Sequence, residues 1–418
     1  MRWFELDKLY IKRIDIEKVR QLKNVALDIS TDNLKHLIFT GRNGSGKTSL
    51  LNAISIYLNN IVSNERIEIY THQYNSAQVA LGYEKNTNEK VLEYTSRLNN
   101  AINMLKELKQ GLTLEFNHTS KEILYSFKNG EFVVAYYKAE REFKAIEPKH
   151  VEKVVLLDQY KIDATPKDNF IKYIVDLKVT EALAKTANKG EQAKTIASWF
   201  EKLESLLQDI YADKSLKLIF DMDTFNFTIH QDGRDPYGFN TMSSGYAAVF
   251  DIVLDLIMRM ESKTKKTFNF NLPGIVLIDE IETHLHLELQ KRILPILTTI
   301  FPNIQFIIST HSPFVLNALD NVVIYDLEKK LLVNNGLTDL PYDGIVEGYF
   351  DSDKLSQELR NKFDRYKILV NKKEITDDDF AEVQKLELYL DEIPDYLALP
   401  VTTEYEMLKK NFRSRGDL

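Results

Sequence analysis

The sequence predicts an α/β fold: a mixed sheet around a phosphate-binding core, carrying a helical insertion lobe and a helical C-terminal tail. Three apolar runs predict it, because each ends in polar residues of a defined kind. Leu37-Ile38-Phe39 leads into Gly41-Arg42-Asn43-Gly44-Ser45-Gly46-Lys47-Thr48, a complete G-x-x-x-x-G-K-[ST] loop. Ile275-Val276-Leu277-Ile278 leads into Asp279-Glu280, and Phe306-Ile307-Ile308 into Ser309-Thr310-His311. Continuous apolar runs bounded by Gly or charge are the pattern of strands buried on both faces of a parallel sheet. Polar residues at their C-terminal ends fall where open α/β sheets bind ligands.

The first run stands in the context its motif needs. An amphipathic segment, Ser49-Leu50-Leu51-Asn52-Ala53-Ile54-Ser55-Ile56-Tyr57, follows the loop, so backbone N–H groups can ring a phosphate at a helix N-terminus. The chain has only 15 glycines, yet three lie between positions 41 and 46, which weighs against a mere glycine turn before a core helix. Gly41, Asn43, Gly44, Ser45, Gly46, Lys47, Thr48 and Ser49 are therefore the expected nucleotide-binding residues. Lys47 reaches the β- and γ-phosphates, and the Thr48 hydroxyl holds Mg²⁺. A nucleoside triphosphate, taken as ATP, and Mg²⁺ are the expected ligands.

The second run supplies the hydrolytic chemistry. Asp279 would hold Mg²⁺ through water, and Glu280 would polarise the attacking water as general base. Alone, the run reads equally well as a core strand ending in surface acids; the phosphate loop tips the choice. His311 closes the third run, where it would sense the γ-phosphate. A lone histidine after a buried strand is more often a satisfied core residue. The last piece is Asn240-Thr241-Met242-Ser243-Ser244-Gly245-Tyr246, before the apolar helix Ala247–Met258. Ser243 or Ser244 makes a good N-cap, and the helix start is a second anion site. Read alone, Ser-Ser-Gly is ordinary helix punctuation.

In this order the four pieces resemble the ABC-type ATPases: Walker A, signature, Walker B, switch histidine. Gly245 precedes Asp279 by 34 residues, and Asp279 precedes His311 by 32. The stretch Asp279-Glu280-Ile281-Glu282-Thr283-His284-Leu285-His286-Leu287-Glu288-Leu289-Gln290 is similar to the D-E-P-E-x-H-L-H-P-E-L-Q of the RecF/OLD/SMC branch. Ser309-Thr310-His311-Ser312-Pro313 is similar to its S-T-H-S-P, and Tyr10–Ile16 and Leu22–Ile29 to its opening strands. The resemblance covers about residues 8–325. Ile281 and Leu287 depart from the usual prolines, and Tyr246 stands where the signature carries Glu or Gln.

The resemblance implies a head-to-tail homodimer or higher oligomer with two ATP molecules between subunits, and slow hydrolysis. Ser243, Ser244 and Gly245 would serve the partner's nucleotide, Ser244 and Gly245 touching its γ-phosphate. Lys47, Thr48, Asp279, Glu280 and His311 would act in cis, with Glu280 and His311 catalytic and Thr48 and Asp279 on the metal. His284 and His286 would lie at the subunit seam. Their H-x-H spacing is a weak metal signal, set aside because the family match explains both. After Phe132–Tyr137, Glu140 and Arg141 are candidates to touch nucleotide, as is Arg13. For all of these a solvated salt bridge is the favoured reading.

Composition narrows the class. Apolar residues make up 44% and charged residues 28% of 418, ordinary for a soluble globular protein. No apolar run nears the roughly 20 residues of a membrane span, and Met1–Lys8 is too charged for a signal peptide. The absence of cysteine excludes disulfides and thiolate zinc sites and suits a cytoplasmic location. A net charge of −8 gives no global drive toward nucleic acid. DNA contact would need a local basic face: Lys185, Lys189 and Lys194, or Lys409, Lys410, Arg413 and Arg415. A charge run of this kind is more often a solvated helix face.

Residues 1–85 and 212–325, with strands from about 111–145, are expected to form the ATPase core. Residues 86–211 form a largely helical insertion lobe, and 326–418 a helical partner-binding region. Residues 112–116 and 123–127 read as β-type runs; 86–110, 167–187 and 190–211 read as helices. No heptad runs for three or four repeats, so the chain is not a cohesin-like tether. In the tail, 331–333 is β-type and 352–371 helical. A further helix runs from the capping box Thr376-x-x-Asp379 to about 391, and the last lies beyond breaks at Ile393-Pro394 and Leu399-Pro400. Ile345-Val346-Glu347-Gly348 and Asp377-Asp378-Asp379 look like pieces of the TOPRIM nuclease that OLD proteins carry. Only 70 residues follow Gly348, and they are helix-patterned, so intrinsic nuclease activity is not expected.

This outline resembles the ATPases of bacterial anti-phage operons, of Septu and retron type. It implies an ATPase that senses phage or foreign DNA and controls a separately encoded nuclease or toxin. A RecF-like repair ATPase that binds DNA is the alternative. A membrane transporter's ATPase is a third, opposed by the S-T-H-S-P and D-E-x-E-x-H-L-H strings.

Overall fold

Strand and helix follow one another in an order that brings distant motifs to one sheet edge. The computed structural model describes residues 8–83, 87–141, 143–340, 357–372, 375–391 and 399–413. It opens with the hairpin β1 (Ile11–Val19) and β2 (Leu22–Asp28), then β3 (His36–Thr40) and α1 (Lys47–Ser63). A helical hairpin follows, α2 (Arg66–Leu81) and α3 (Asn88–Lys109), and then β4 (Leu112–Phe116), α4 (Ser120–Lys128) and β5 (Val133–Tyr137). Next come α5 (Phe170–Thr186), α6 (Gly190–Tyr211), β6 (Lys217–Asp221), β7 (Asn226–His230) and β8 (Tyr237–Gly238). The motif-bearing half is α7 (Ser244–Thr264), β9 (Gly274–Ile278), α8 (Leu287–Ile300), β10 (Ile304–Ser309), α9 (Pro313–Leu316), β11 (Val322–Asp326) and β12 (Leu331–Asn334). The tail holds α10 (Gln357–Val370), α11 (Asp377–Asp391) and α12 (Leu399–Arg413).

The principal sheet has six strands in the order β12-β11-β3-β10-β9-β5, all parallel except β12. Every residue of β3, β9, β10 and β11 is buried, as the uninterrupted apolar runs require. In register, Ile307 lies against Leu37 and Leu277, so three runs far apart in sequence form one slab. A second, antiparallel sheet, β2-β1-β4, caps this slab through Gln305, which bonds both polar groups of the Ile11 backbone (2.8 and 3.1 Å). A third sheet, β6-β7-β8, follows the α5–α6 pair.

One expected strand is a helix. Ile123-Leu124-Tyr125-Ser126-Phe127 lies inside α4, because Thr119 and Glu122 close a capping box on each other's backbone N–H (2.8 and 3.3 Å). That local signal outweighs the β-type residues, and Ile123, Leu124 and Phe127 still reach the core.

The described chain divides into two units at Asp339/Leu340. The second has its own core of Phe363, Tyr366, Leu369, Val383, Leu390, Tyr405 and Phe412. The Thr376/Asp379 capping box starts α11, and Asp379 also takes a hydrogen bond from Lys372 (2.6 Å). Those bonds hold its carboxyl down to about 2 and occupy it as a cap. Leu399-Pro400 opens α12 instead of breaking it; proline is tolerated in a first helical turn. Residues 345–348, Ile393-Pro394 and Arg415 lie outside the described residues.

Candidate nucleotide site

Parallel pairing aligns the C-terminal ends of β5, β9, β10, β3 and β11 along one edge. The phosphate loop leaves β3 there. Gly41, Gly44 and Gly46 hold φ of 124°, 83° and 104°, a backbone that L side chains rarely adopt. At Gly41 an added Cβ would also sit 3.3 Å from the Glu328 nitrogen. Lys47, 5% exposed, donates to its own loop's carbonyls, Gly41 O at 2.8 Å and Arg42 O at 3.3 Å. Burial pushes its pKa down, opposed by the acids Glu280, Glu282, Asp279 and Asp326. Asn43, Gly44 and Thr48 are exposed, and Ser45, Gly46 and Ser49 half-buried. No acidic residue occupies the first turn of α1, which leaves that helix end free to favour an anion.

The end of β9 is locked to the end of β10. Asp279 is 2% exposed, and its Oδ1 accepts from the Ser309 hydroxyl at 2.5 Å. The same hydroxyl accepts from the Glu280 N–H at 2.7 Å. Glu282 accepts from the Thr310 hydroxyl (2.7 Å) and from the His311 N–H (2.5 Å). Glu280 itself sits at φ 44°, a left-handed conformation that a glutamate keeps only when its surroundings impose it. Arg141 supplies that constraint. It is 8% exposed and donates to the carbonyls of Asp279 (2.6 Å), Glu280 (2.9 Å) and Ile281 (3.2 Å). Burial lowers its pKa to about 10, which leaves it charged at neutral pH.

Arg141 therefore corrects the expectation of a solvated salt bridge; Glu140 beside it is exposed. Arg13 does fill that bland role, pairing at the surface with Asp15 and Asp28, each at 2.8 Å. Motif reading gave Ser309 and Glu282 no role, and gave Arg141 a different one, contact with nucleotide, where the structure sets it on the 279–281 carbonyls. The first two sit inside the motif strings, whereas nothing local marks Arg141 as a partner of the 279–281 carbonyls. Gln21 was given no role either: the β1–β2 turn lays its amide on the phosphate loop, donating to Gly44 O at 3.0 Å.

The residues present fit a bound triphosphate and metal. The Ser45 hydroxyl and His311 Nε2 are both buried without a hydrogen-bond partner, which is costly unless a ligand supplies one. Burial, with Lys47 adding to it, pushes the His311 imidazole down, so it is neutral near pH 7. Among the described residues no cluster of three or more His, Cys, Asp or Glu forms a metal cage. One hydroxyl, Thr48, and one buried carboxylate, Asp279, suit Mg²⁺, which keeps several waters and shares phosphate oxygens.

The signature residues behave differently. Ser243 occupies the N-cap of α7 but makes no capping hydrogen bond, contrary to expectation. Ser243 and Ser244 are exposed, and Gly245 is buried. A Cβ at Gly245 would lie 3.1 Å from His284 O, a tight contact that would push the 284 backbone by a few tenths of an ångström. His284 and His286 are exposed. The candidate basic faces are largely paired within the chain: Lys185 with Glu181, Lys194 with Glu191, Lys409 with Asp391 and Arg413 with Glu387.

A glycine-rich loop between a central parallel strand and a helix, facing an Asp-Glu strand end, defines a P-loop ATPase domain. Residues 37–317 match the family described as "AAA domain, putative AbiEii toxin, Type IV TA system". The chain belongs to that family. It is similar to the Septu protein PtuA of Bacillus mycoides (strain KBAB4), 23% identical over 398 residues, covering 90% of this chain and 50% of that protein. It thus spans half the length of that relative. The Retron Vc95 probable ATPase of Vibrio cholerae is 26% identical over 373 residues, 75% of this chain and 72% of that one. Among solved structures, the SMC head domain from Thermotoga maritima superposes with a TM-score of 0.35 at 13% identity, covering 76% of this chain and 94% of that one.

Proposed function

We propose that the protein is an ATP-hydrolysing head that works as an ATP-bridged homodimer or higher oligomer. In this reading it senses phage or foreign DNA and controls a separately encoded nuclease or toxin in anti-phage defence. One observation supports the dimer: the loop, acid and histidine motifs meet at one sheet edge, whereas Ser243 and Ser244 are exposed and Ser243 makes no capping bond. A second subunit's nucleotide would give those hydroxyls and the α7 N-terminus their partner. The defence role is supported by the similarity to Septu and retron proteins. The effector, the trigger, direct DNA contact and slow turnover belong to the proposal.

In the mechanism, the loop N–H groups and Lys47 hold the β- and γ-phosphates. Thr48 and Asp279 would hold Mg²⁺, which neutralises phosphate charge when bound. Glu280, its backbone fixed by Arg141 and Ser309, takes a proton from the attacking water. Neutral His311 offers Nε2 to the γ-phosphate or that water. Ser244 and Gly245 of the partner close the other side. The proposed compartment is the cytoplasm; among the described residues no helix is long and apolar enough to cross a membrane. The 326–418 region, whose helices form their own core, is the proposed seat of the effector.

The test is co-expression with the neighbouring genes, followed by pull-down of this chain with and without ATP. A nuclease- or toxin-like protein retained on the beads supports the gated effector. Bare protein that holds DNA only with ATP would replace it by the repair reading.

A further inference from the structure

Tyr246 occupies the signature position where the resembling ATPases carry Glu or Gln, and its ring has a partner. It stacks on Tyr211, the last residue of α6, with centroids 3.8 Å apart and planes 23° apart. Tyr211 is buried and also packs against Tyr237 (6.5 Å) and Phe250 (6.0 Å). The end of α6 is held from a second side, because Arg292 of α8 donates to the carbonyls of Asp209 and Ile210. A basic side chain on a helix's last carbonyls satisfies acceptors that the helix cannot. The residues just beyond are tied as well: Asp213 accepts from Gln231 (2.7 Å), which in turn accepts from the Tyr237 hydroxyl (2.7 Å). Gly245, meanwhile, is pressed against His284 O and Leu289. The start of α7 is thus wedged between the 284–289 stretch and the C-terminal end of the insertion helix.

We propose that Tyr246 and Tyr211 form a positioning strut that sets the signature residues Ser243–Gly245 in register with the end of α6. The inference rests on the signature reading above and deepens it. Because Ser243 makes no capping bond, its own side chain does not fix the first turn of α7; the ring stack fixes it at Tyr246, the third residue of that turn. A shift of α6 by a fraction of its pitch would move the serines that face the partner's nucleotide. Small misplacements of binding groups cost rate steeply, up to about 100-fold for 1 Å.

The experiment uses the full-length chain and four variants, Tyr246→Ala, Tyr246→Phe, Tyr211→Ala and the double alanine, with Ser244→Arg as reference. Steady-state hydrolysis, affinity for a fluorescent ATP analogue at low protein concentration, and Tm are measured together. Each alanine variant should lose about tenfold in kcat with analogue affinity unchanged, while Tyr246→Phe keeps the parent rate. The double variant should be no slower than either single one, as for two residues acting as a unit. Rates that stay at the parent value, or losses that add up, would overturn the strut. If the tyrosine variants are normal and Ser244→Arg is inactive, the strut fails and the signature reading stands. If Ser244→Arg also hydrolyses normally, the signature reading itself fails.

Discussion

The edge formed by β9 and β10 and the start of α7 both carry pieces of the ATPase motif set, and they are built in opposite ways. At the strand ends each named acid has its geometry fixed by a neighbour: Ser309 bonds Asp279, Arg141 bonds the carbonyls around Glu280, and Glu282 bonds Thr310 and His311. At the helix start the serines are exposed and Ser243 caps nothing. The groups proposed to hold a proton or metal at a set place are braced internally. The groups proposed to meet a second subunit's nucleotide are left open, and the backbone beneath them is held by its neighbours. A preorganised half and a presented half are what a site shared between two chains requires.

Four measurements would break or sharpen that contrast. The largest effect is expected for Lys47→Ala, which should weaken ATP-analogue affinity at least about 100-fold by removing a charge-assisted contact. Ser244→Arg should leave the same affinity untouched in dilute protein, and equal losses from both variants would erase the contrast. Glu280→Gln should keep nucleotide yet hydrolyse it about 100- to 1,000-fold more slowly, with an ATP-dependent dimer accumulating on a sizing column. A variant that turns over normally and stays monomeric would remove Glu280 as general base. Arg141→Lys should lower kcat about tenfold or more, because an ammonium cannot reproduce the planar fork that reaches three carbonyls. Full activity in that variant would mean that the braced edge needs no brace.

The smallest effect concerns acid stability. His36 lies buried in β3, and its Nδ1 accepts from the Phe306 N–H at 3.1 Å, which requires a neutral ring. Burial lowers its pKa to about 4. The unfolded chain binds this proton below about 6.5, while the folded chain refuses it until about 4. Its contribution is therefore complete above pH 6.5 and lost as pH falls toward 4, on the order of 3 kcal/mol. Denaturant midpoints for the parent and His36→Asn should converge across that window, and parallel curves would contradict the assignment.

Much of the site was legible because its chemistry is local. The glycines at 41, 44 and 46, the Asp279-Glu280 pair and the Ser-Thr-His run each announce a strand end in a few residues. The helix at 190–211 followed from apolar spacing, and the one expected over about 167–187 is present at 170–186. Arg141 was legible as a candidate for the nucleotide but not as a brace, since that role exists only when β5 pairs with β9 and brings it to carbonyls more than a hundred residues onward. Residues 123–127 were misread because β-type side chains were weighed above the capping box that precedes them. The basic faces looked open because the acids that neutralise Lys409 and Arg413 lie on another helix.

The strand order also sets a schedule. β3 and its loop are synthesised by residue 48, but its two neighbours, β10 and β11, begin only at residues 304 and 322. At about 5–20 residues per second, five residues that end fully buried wait roughly 15–50 s for the first of them. During that interval the nascent chain carries an apolar ribbon with both edges open, followed by an anion-seeking loop. Chaperone demand should therefore last until β10 and β11 are made, and slow codons between β9 and β10 would lengthen the exposure.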